Sequence, residues 1–291
     1  MNLARTTWTL SAGLGWAWST ATPTRHQLAR RQLDDALPNL EPLFAHRIVR
    51  RMFHHLAALP LEVLLAQPGH PGAEQELDLG PAGRLVVVGR HNLDAVLEAG
   101  RGALLLGAHL GNFELALLAE ASRGLPVSVL SKSLGNPWLN DLWLAQRRRF
   151  GVEVLRDEHS LAHVLKALER RRCVAMTLDQ HANREHAVPV RFFGRTAAAH
   201  RSLALISARA DVPVVPAFAR RVEPGVHELR YHPAMPFERG DGSIRQALQR
   251  QTQRYTDAIE AAVQRTPDQW TWLHRRWKAD DAPRAEPATP R

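Results

Sequence analysis

A histidine and a glutamate, His109 and Glu114, stand five positions apart in the segment GAHLGNFE, residues 107–114. The apolar run just before it, Ala103–Leu106, is typical of a buried strand. The Gly-Asn pair between the two residues favours a turn, and the residues from Phe113 onward favour a helix. The histidine is therefore predicted at the mouth of a strand, and the glutamate in the first turn of the helix that follows.

This placement allows the two side chains to act together. On one continuous helix, residues five apart would point about 140° away from each other, whereas a strand–turn–helix lets them converge. The helix dipole stabilises a carboxylate in the first turn, and this carboxylate can accept the proton of one imidazole nitrogen. We expect His109 to be a general base toward a substrate hydroxyl and Glu114 to fix its tautomer. The alternative is a core histidine that caps a helix.

The turn between them offers a second contribution. Gly111 and Asn112 bring backbone close to whatever binds there, because small turn residues leave little in the way. Their backbone N–H groups are candidate donors to a developing oxyanion. The sequence does not assign this role to one particular group.

Composition limits the class of protein. With 291 residues, 45% of them apolar, the chain can build one large core with a smaller part attached. A net charge of +9 indicates an acidic partner, either an anionic membrane or a phosphorylated substrate, and nucleic acid ranks last because no nucleic-acid-binding signature is present. The single cysteine, Cys173, excludes an internal disulfide and is predicted to be a buried thiol.

Short apolar runs alternate with helical stretches from Arg84 onward. This alternation predicts an α/β fold with a mixed, largely parallel central sheet flanked by helices, and with an N-terminal helical preface over residues 26–67. We predict a membrane-associating helical segment at 1–75, a catalytic domain at 76–278 and a disordered tail at 279–291. The predicted strands are Leu85–Val88, Leu104–Leu106, Val127–Leu130, Val152–Leu155, Val174–Leu178 and Val214–Ala219. The predicted helices are Asn92–Ala99, Pro137–Phe150, Ser160–Arg171 and Ser243–Gln264.

Six of the eight tryptophans lie near the ends of the chain, interleaved with arginines. Tryptophan favours the membrane–water boundary, and arginine is attracted to anionic lipid. Both ends are therefore predicted to lie on an anionic membrane, although the apolar stretch Trp8–Ala21 is too short and too polar to span a bilayer. The alternative is core aromatics beside solvated basic faces. The tryptophans concerned are Trp8, Trp16, Trp18, Trp270, Trp272 and Trp277, with Arg275 and Arg276 among the neighbouring arginines.

The segment GAHLGNFE also resembles the H-x4-D/E block of the glycerolipid acyltransferase superfamily, specifically of the lipid A late acyltransferases. Four later stretches are similar to that family in the same order: residues 132–151, 178–194, 213–220 and 270–278. Ala199-His200-Arg201 departs from the family pattern, in which a small hydroxyl residue and a glycine are expected. The resemblance covers roughly residues 25–278.

The resemblance implies transfer of an acyl chain from a thioester of acyl carrier protein or coenzyme A to a hydroxyl of a phosphorylated glycolipid, a lipid A precursor. It places the enzyme on the cytoplasmic face of the inner membrane, peripheral or anchored by its N-terminus, and it implies neither cofactor nor metal. Chain length, donor and exact acceptor stay open. The positions that match the family's substrate-binding residues are Arg147, Arg148, Asp179, Lys132 and Asn136.

Other activities are also compatible with the sequence. The acceptor could be another glycolipid, an aminolipid or a lysophospholipid. The group Asp179, His181, Glu185 and His186 has the residue types of a metallohydrolase site, although no third histidine stands at a convincing spacing. A noncatalytic membrane-binding protein is a further alternative, for which an intact His-Glu pair has no explanation.

Overall fold

Residues 3–71, 75–131, 134–155 and 160–278 are described in the structure, a computed structural model. Three helices open the chain: α1 (Leu3–Ala21), α2 (Pro23–Ala36) and α3 (Pro42–Leu65). Both α2 and α3 begin with a proline, which suits a position whose N–H has no partner within the helix. The predicted helical preface is therefore present, and it begins close to the first residue of the chain.

The strands form a nine-stranded sheet and a separate hairpin. The order in the large sheet is β1-β2-β3-β11-β10-β4-β7-β5-β6, and the hairpin pairs β8 with β9. Among the described strands of the large sheet, five of the eight neighbouring pairs are parallel, which confirms the predicted largely parallel sheet. The strands are β1 (His70–Pro71), β2 (Glu76–Asp78), β3 (Arg84–Val88), β4 (Ala103–Gly107), β5 (Val127–Leu130), β6 (Glu153–Leu155), β7 (Cys173–Thr177), β8 (Ala187–Phe192), β9 (Arg195–His200), β10 (Val214–Glu223) and β11 (Val226–Tyr231).

Helices cover both faces of this sheet. Successive side chains of a strand point to opposite faces, so Leu104 and Leu106 of β4 enter one core while Leu105 enters the other. Met52 of α3 packs in the first of these cores, which shows that the N-terminal helices share the core of the sheet. The remaining helices are α4 (His91–Glu98), α5 (Phe113–Ser122), α6 (Pro137–Arg149), α7 (Ser160–Glu169), α8 (Ser202–Ala210) and α9 (Ile244–Arg265).

Helix α1 packs with its polar and small residues inward. Its buried positions follow helical spacing and are occupied by Ala4, Thr7, Ser11 and Gly15. These small side chains permit a close approach to α3: a Cβ added at Gly15 would lie 2.6 Å from the Cα of His54. On the outer surface of α1 the bulky apolar residues lie on two flanks: Leu3, Leu10 and Leu14 are exposed along one flank, and Trp16 is exposed on the other. Trp18 lies nearer the packed face, where its ring meets Phe53 edge-on at 5.4 Å between centroids.

The sole cysteine, Cys173, opens β7 and is fully buried. Burial raises the pKa of its thiol to about 12. The thiol is therefore protonated at neutral pH, as predicted for a core cysteine.

Candidate active site

Strand register brings His109 to Asp179. Strands β4 and β7 are parallel neighbours, and Gly107 at the end of β4 pairs with Thr177 at the end of β7. His109 and Asp179 each lie two residues past that pair, at the same edge of the sheet. Carboxyl ends of parallel strands commonly form the site of an α/β protein, and here they join a base and an acid.

The contacts between these two residues are specific. Nδ1 of His109 lies 2.9 Å from Oδ1 of Asp179, and the backbone N–H of His109 donates to Oδ2 at 2.9 Å. The indole N–H of Trp270 donates to the same Oδ2 at 2.8 Å. The buried, ionised carboxylate therefore holds the proton of His109 on Nδ1 and leaves Nε2 as the basic nitrogen, which lies 3.4 Å from Nε2 of Gln180.

The charges of the pair shift both pKa values. Burial alone lowers the pKa of His109, but the negative charge of Asp179 and its hydrogen bond outweigh burial, so the net shift is upward. Burial raises the pKa of Asp179, but the charge of His109 and three hydrogen bonds from His109 and Trp270 bring it down to about 2. Asp179 is thus a carboxylate throughout the physiological range and stabilises an imidazolium on His109.

Glu114 does not occupy the place that the spacing predicts. Its carboxylate is held by Arg147, with Nε at 2.6 Å and Nη2 at 2.9 Å, and both side chains are buried. Phe113, the first residue of α5, lies against His109 instead, with its ring edge-on at 5.1 Å between centroids. The expected contact between His109 and Glu114 is therefore wrong, because the register of β4 and β7 places Asp179 on the imidazole.

A cavity of about 1320 Å³ opens beside His109, between the sheet and helices α5 and α6. This volume exceeds the roughly 300–1,000 Å³ of most small-ligand sites. Its polar lining includes Glu114, Arg147, Arg148 and Gln180. The rest is mainly apolar and includes Leu105, Leu117, Val129, Trp143 and Leu229.

The family model for bacterial lipid A biosynthesis acyltransferases matches residues 5–279. The chain belongs to this family. A curated lipid A biosynthesis acyltransferase from Haemophilus influenzae (strain ATCC 51907 / DSM 11121 / KW20 / Rd) is 22% identical over 256 residues, covering 84% of this chain and 75% of that protein. The crystal structure of the 1-acyl-sn-glycerophosphate acyltransferase PlsC from Thermotoga maritima aligns over 92% of this chain and 99% of that one, with a TM-score of 0.41 and 11% identity.

The two arginines predicted to bind substrate differ in this acyltransferase. Arg147 is buried and is engaged by Glu114, so its bidentate edge is already occupied. Arg148, one residue later on α6, lines the cavity and is exposed. Arg149 is also exposed but does not line the cavity. Of the three consecutive arginines, Arg148 is the one that both lines the cavity and is exposed.

The other predicted substrate-binding residues have different positions. The side chain of Asn136 accepts the backbone N–H of Leu139 at 3.1 Å and so caps α6. Lys132 lies outside the described residues.

Gly111 and Asn112 support the turn after His109. The Gly111 N–H donates to the carbonyl of Gln269 at 3.1 Å, so it is occupied and is not a spare donor for an oxyanion. Gly111 has a φ of +58°, and a Cβ there would lie 2.3 Å from the carbonyl oxygen of Ala219. Asn112 is fully buried and caps α5 by accepting the N–H of Leu115 at 3.0 Å.

The closing tryptophans are core residues. Trp270 and Trp272 are 1% and 0% exposed, and Arg276 is 1% exposed over the ring of Phe192. The prediction that this end of the chain lies on a membrane was wrong for these residues, because Trp270 is used to orient Asp179 and its neighbours fill the first core. The predicted site lacked Trp270, Gln180 and Gln269. Gln180 and Trp270 lie inside two of the blocks that resemble the family, 178–194 and 270–278, and this was the available signal for them, whereas Gln269 stands one residue before the second of these blocks.

The residues of the metallohydrolase alternative do not form a cluster. Asp179 is committed to His109 and Trp270, whereas the side chains of Glu185 and His186 are 86% and 62% exposed. Across the ranges described, no three or more His, Cys, Asp or Glu side chains are grouped so that they could hold a metal ion. Within the same ranges, no helix has the length and apolar character needed to cross a membrane.

Proposed function

We propose that this acyltransferase moves a fatty acyl chain from an acyl thioester, carried by acyl carrier protein or coenzyme A, to a hydroxyl of a lipid A precursor. The observation that carries the proposal is the His109–Asp179 pair, whose basic Nε2 stands at a cavity with an apolar interior. A hydroxyl and a thioester carbonyl brought together there need a base of this kind.

The proposed reaction uses His109 twice. Nε2 takes the proton of the acceptor hydroxyl while the hydroxyl oxygen attacks the carbonyl carbon of the thioester. The tetrahedral intermediate then collapses, the carbon–sulfur bond breaks, and the imidazolium returns its proton to the leaving thiolate. The products are an ester and a free thiol. Asp179 stabilises the imidazolium in between, as the carboxylate of a serine hydrolase triad does.

The lining of the cavity supports an acyl substrate. Leu105, Val129 and Leu229 lie on strands several places apart in the sheet, so the apolar surface extends across the sheet beneath α5. Burial of each methylene contributes about 0.8 kcal/mol, so such a surface favours a long hydrocarbon chain over a short one.

A phosphorylated acceptor fits the charge of the site. Arg148 is exposed at the cavity, and a guanidinium suits phosphate because its planar edge donates two parallel hydrogen bonds. With Arg147 neutralised by Glu114, a positively charged group is still offered to the substrate at this edge.

Helix α1 supports contact with the cytoplasmic face of the inner membrane. One flank presents Leu3, Leu10 and Leu14, which are 57%, 63% and 54% exposed, and the other flank presents Trp16, which is 64% exposed. A row of exposed leucines on a protein of net charge +9 suits an interfacial helix on anionic lipid. In this proposal the N-terminal helix makes the membrane contact, and the buried tryptophans Trp270 and Trp272 take no part in it.

The proposal is tested with purified protein, acyl carrier protein and coenzyme A thioesters of several chain lengths, and a phosphorylated lipid A precursor. Mass spectrometry should show the acceptor gaining one acyl group, and His109→Ala should abolish this gain. Neutral glycolipids, aminolipids and lysophospholipids are tested in parallel as alternative acceptors. Transfer to one of these in preference to the precursor, or unchanged transfer by His109→Ala, would overturn the proposal.

A further inference from the structure

A buried polar cluster lies behind the active-site turn, outside the cavity. Its members are Glu62 of α3, Arg221 of β10, His227 of β11 and His55 of α3, each less than a tenth exposed. None of the four lines the cavity beside His109. They therefore do not touch a substrate bound there, and any part they play in the reaction passes through other residues.

An ion pair forms the centre of this cluster. Nη1 and Nη2 of Arg221 donate to the two carboxylate oxygens of Glu62, the second at 2.7 Å. Burial and the charge of Arg221 lower the pKa of His55 to about 3, and burial also lowers the pKa of His227. Both histidines are neutral at physiological pH, so Glu62 and Arg221 balance each other's charge.

The side chain of Glu62 reaches the active-site turn directly, and the backbone of Arg221 reaches it through Gln269. The side-chain amide of Asn112 donates to Oε2 of Glu62 at 2.8 Å, which fixes the orientation in which Asn112 caps α5. On the other side, the side chain of Gln269 accepts the backbone N–H of Arg221 at 2.7 Å and donates to its carbonyl at 2.9 Å. The carbonyl of Gln269 in turn holds the N–H of Gly111.

Helix α1 covers the cluster. The ring of Trp8 lies 4.4 Å from Cζ of Arg221, as in a cation–π contact. The carbonyl of Trp8 accepts a hydrogen bond from Nε2 of His54 on α3 at 2.8 Å. The N-terminal helix is thus connected through Arg221 and Glu62 to the turn that follows His109.

We propose that Glu62 and Arg221 are positioning residues for acyl transfer: they hold the turn at Leu110–Asn112, and with it His109, in register with the cavity. This inference rests on the proposed function. A buried ion pair often contributes no more stability than well-packed apolar residues of similar volume, so stability alone does not account for it. Orientation of Asn112 is something that apolar residues cannot supply.

The decisive variant replaces both charges with apolar side chains, Glu62→Met with Arg221→Leu. Thermal unfolding should occur close to the wild-type temperature, because the gain from removing a buried ion pair offsets the loss of the hydrogen bond between Asn112 and Glu62. The turnover number should nevertheless fall by about 10-fold to 100-fold, with KM for both substrates nearly unchanged, because a misplacement of about 1 Å has effects of that size. The matched control is Arg220→Leu with Glu228→Met, which removes the ion pair at the preceding position of β10 together with the contact of Glu228 to Arg230, and which should leave turnover unchanged.

A second variant and a second measurement keep the test independent of folding and of the assay. Glu62→Asp retains the charge but is too short to reach both Arg221 and Asn112, and it should lower turnover with KM retained. The ring resonances of His109, assigned in NMR spectra by their loss in His109→Ala, should shift in the double apolar variant and not in the control. Wild-type turnover together with unshifted resonances would overturn this inference. An inactive wild-type protein would count against the proposed function alone, because the resonances still test the positioning.

Discussion

Glu114 and Arg147 form an ion pair in the cavity wall, and its two hydrogen bonds join the first turn of α5 to the last turn of α6. The side chains are only 3% and 9% exposed. Each charge is therefore compensated by the other and not by solvent or substrate. The pair fixes the distance between the two helices that cover the cavity, and this gives Glu114 a role that does not require contact with His109.

Removing one partner of this pair should destabilise the protein strongly. Arg147→Met leaves a buried carboxylate without its cation, at a cost of about 3–5 kcal/mol in the free energy of unfolding. Urea denaturation measures this loss, and the double variant Glu114→Leu with Arg147→Met should recover most of it. Arg148→Met is the control and should change stability by less than about 0.5 kcal/mol, because Arg148 is exposed. Equal effects of Arg147→Met and Arg148→Met would contradict the buried pairing.

Asp179 should be needed for turnover. Asp179→Asn removes the negative charge that fixes the tautomer of His109, and we expect a fall in turnover of about 10²-fold to 10⁴-fold in a folded protein. His109→Ala combined with Asp179→Asn should be scarcely slower than the worse single variant, since the two residues act as a unit. Trp270→Phe removes one hydrogen bond to Asp179 and should cause a smaller loss. Activity of Asp179→Asn close to wild type would exclude this dyad.

The rate should depend on pH through His109. A base must be unprotonated, so kcat/KM should fall as pH drops through the pKa of His109, which is raised above its ordinary value of 6.5. Asp179→Asn removes the charge that raises this pKa, and the acid limb of any residual activity should move to lower pH. A pH–rate profile of both proteins measures the shift. An unchanged limb in the variant would assign it to a different group.

The pKa shifts of His109 and Asp179 make the stability of the protein depend on pH in opposite directions. The stabilisation from a protonated His109 is complete below pH 6.5 and is lost as pH rises through its raised pKa. The stabilisation from ionised Asp179 is present above its ordinary value of 3.8 and is lost as pH falls toward about 2.

Arg148 should contribute to binding of a phosphorylated substrate. Arg148→Ala should raise KM for that substrate about 10-fold or more, on the scale of one charged hydrogen bond, and Arg148→Lys should raise it less. Arg149→Ala is the matched control, because Arg149 is the exposed neighbour that does not line the cavity. Steady-state kinetics with each substrate varied in turn will show which substrate's phosphate Arg148 binds. Identical effects at the two arginines would point to the general positive field of α6.

Vesicle binding should depend on the outer face of α1. Leu10→Glu and Leu14→Glu should reduce co-sedimentation with anionic vesicles, because they place a negative charge in the row of exposed leucines on α1. High salt should weaken the electrostatic part of binding, which is screened over about 8–10 Å. Arg275→Glu serves as a control at the other end of the chain, where Trp270 and Trp272 are buried and Trp277 is partly buried. A dominant effect of Arg275→Glu would place the membrane contact there.

Local patterns predicted the part of the site that local sequence determines. The apolar run before His109 indicated a strand end, and the Gly-Asn pair indicated the turn, because both follow from the preferences of neighbouring residues. The partner of His109 could not be predicted from local patterns. Asp179 is 70 residues away and meets the imidazole only because β7 is placed beside β4 in one particular register. A single sequence does not contain that register, so the nearest acid in the chain was assigned to a role that a distant one fills.

The tryptophans also show that composition alone does not predict where a residue lies in the fold. Trp16 and Trp270 are the same residue type near opposite ends of the chain, and composition gives them one interpretation. Trp16 is 64% exposed on a helix that turns its small residues inward, whereas Trp270 is 1% exposed and donates to Asp179. What separates them is the helical spacing of Ala4, Thr7, Ser11 and Gly15, which was present in the sequence and predicts the face by which α1 packs.

Because Cys173 is the only cysteine of the chain and is buried and protonated, the native protein should be inert toward maleimides. A cysteine introduced on the outer face of α1, for example Leu14→Cys, would therefore be the single site at which an environment-sensitive fluorophore attaches. No background substitutions would be required. The emission of such a conjugate would report directly whether that face enters lipid during catalysis.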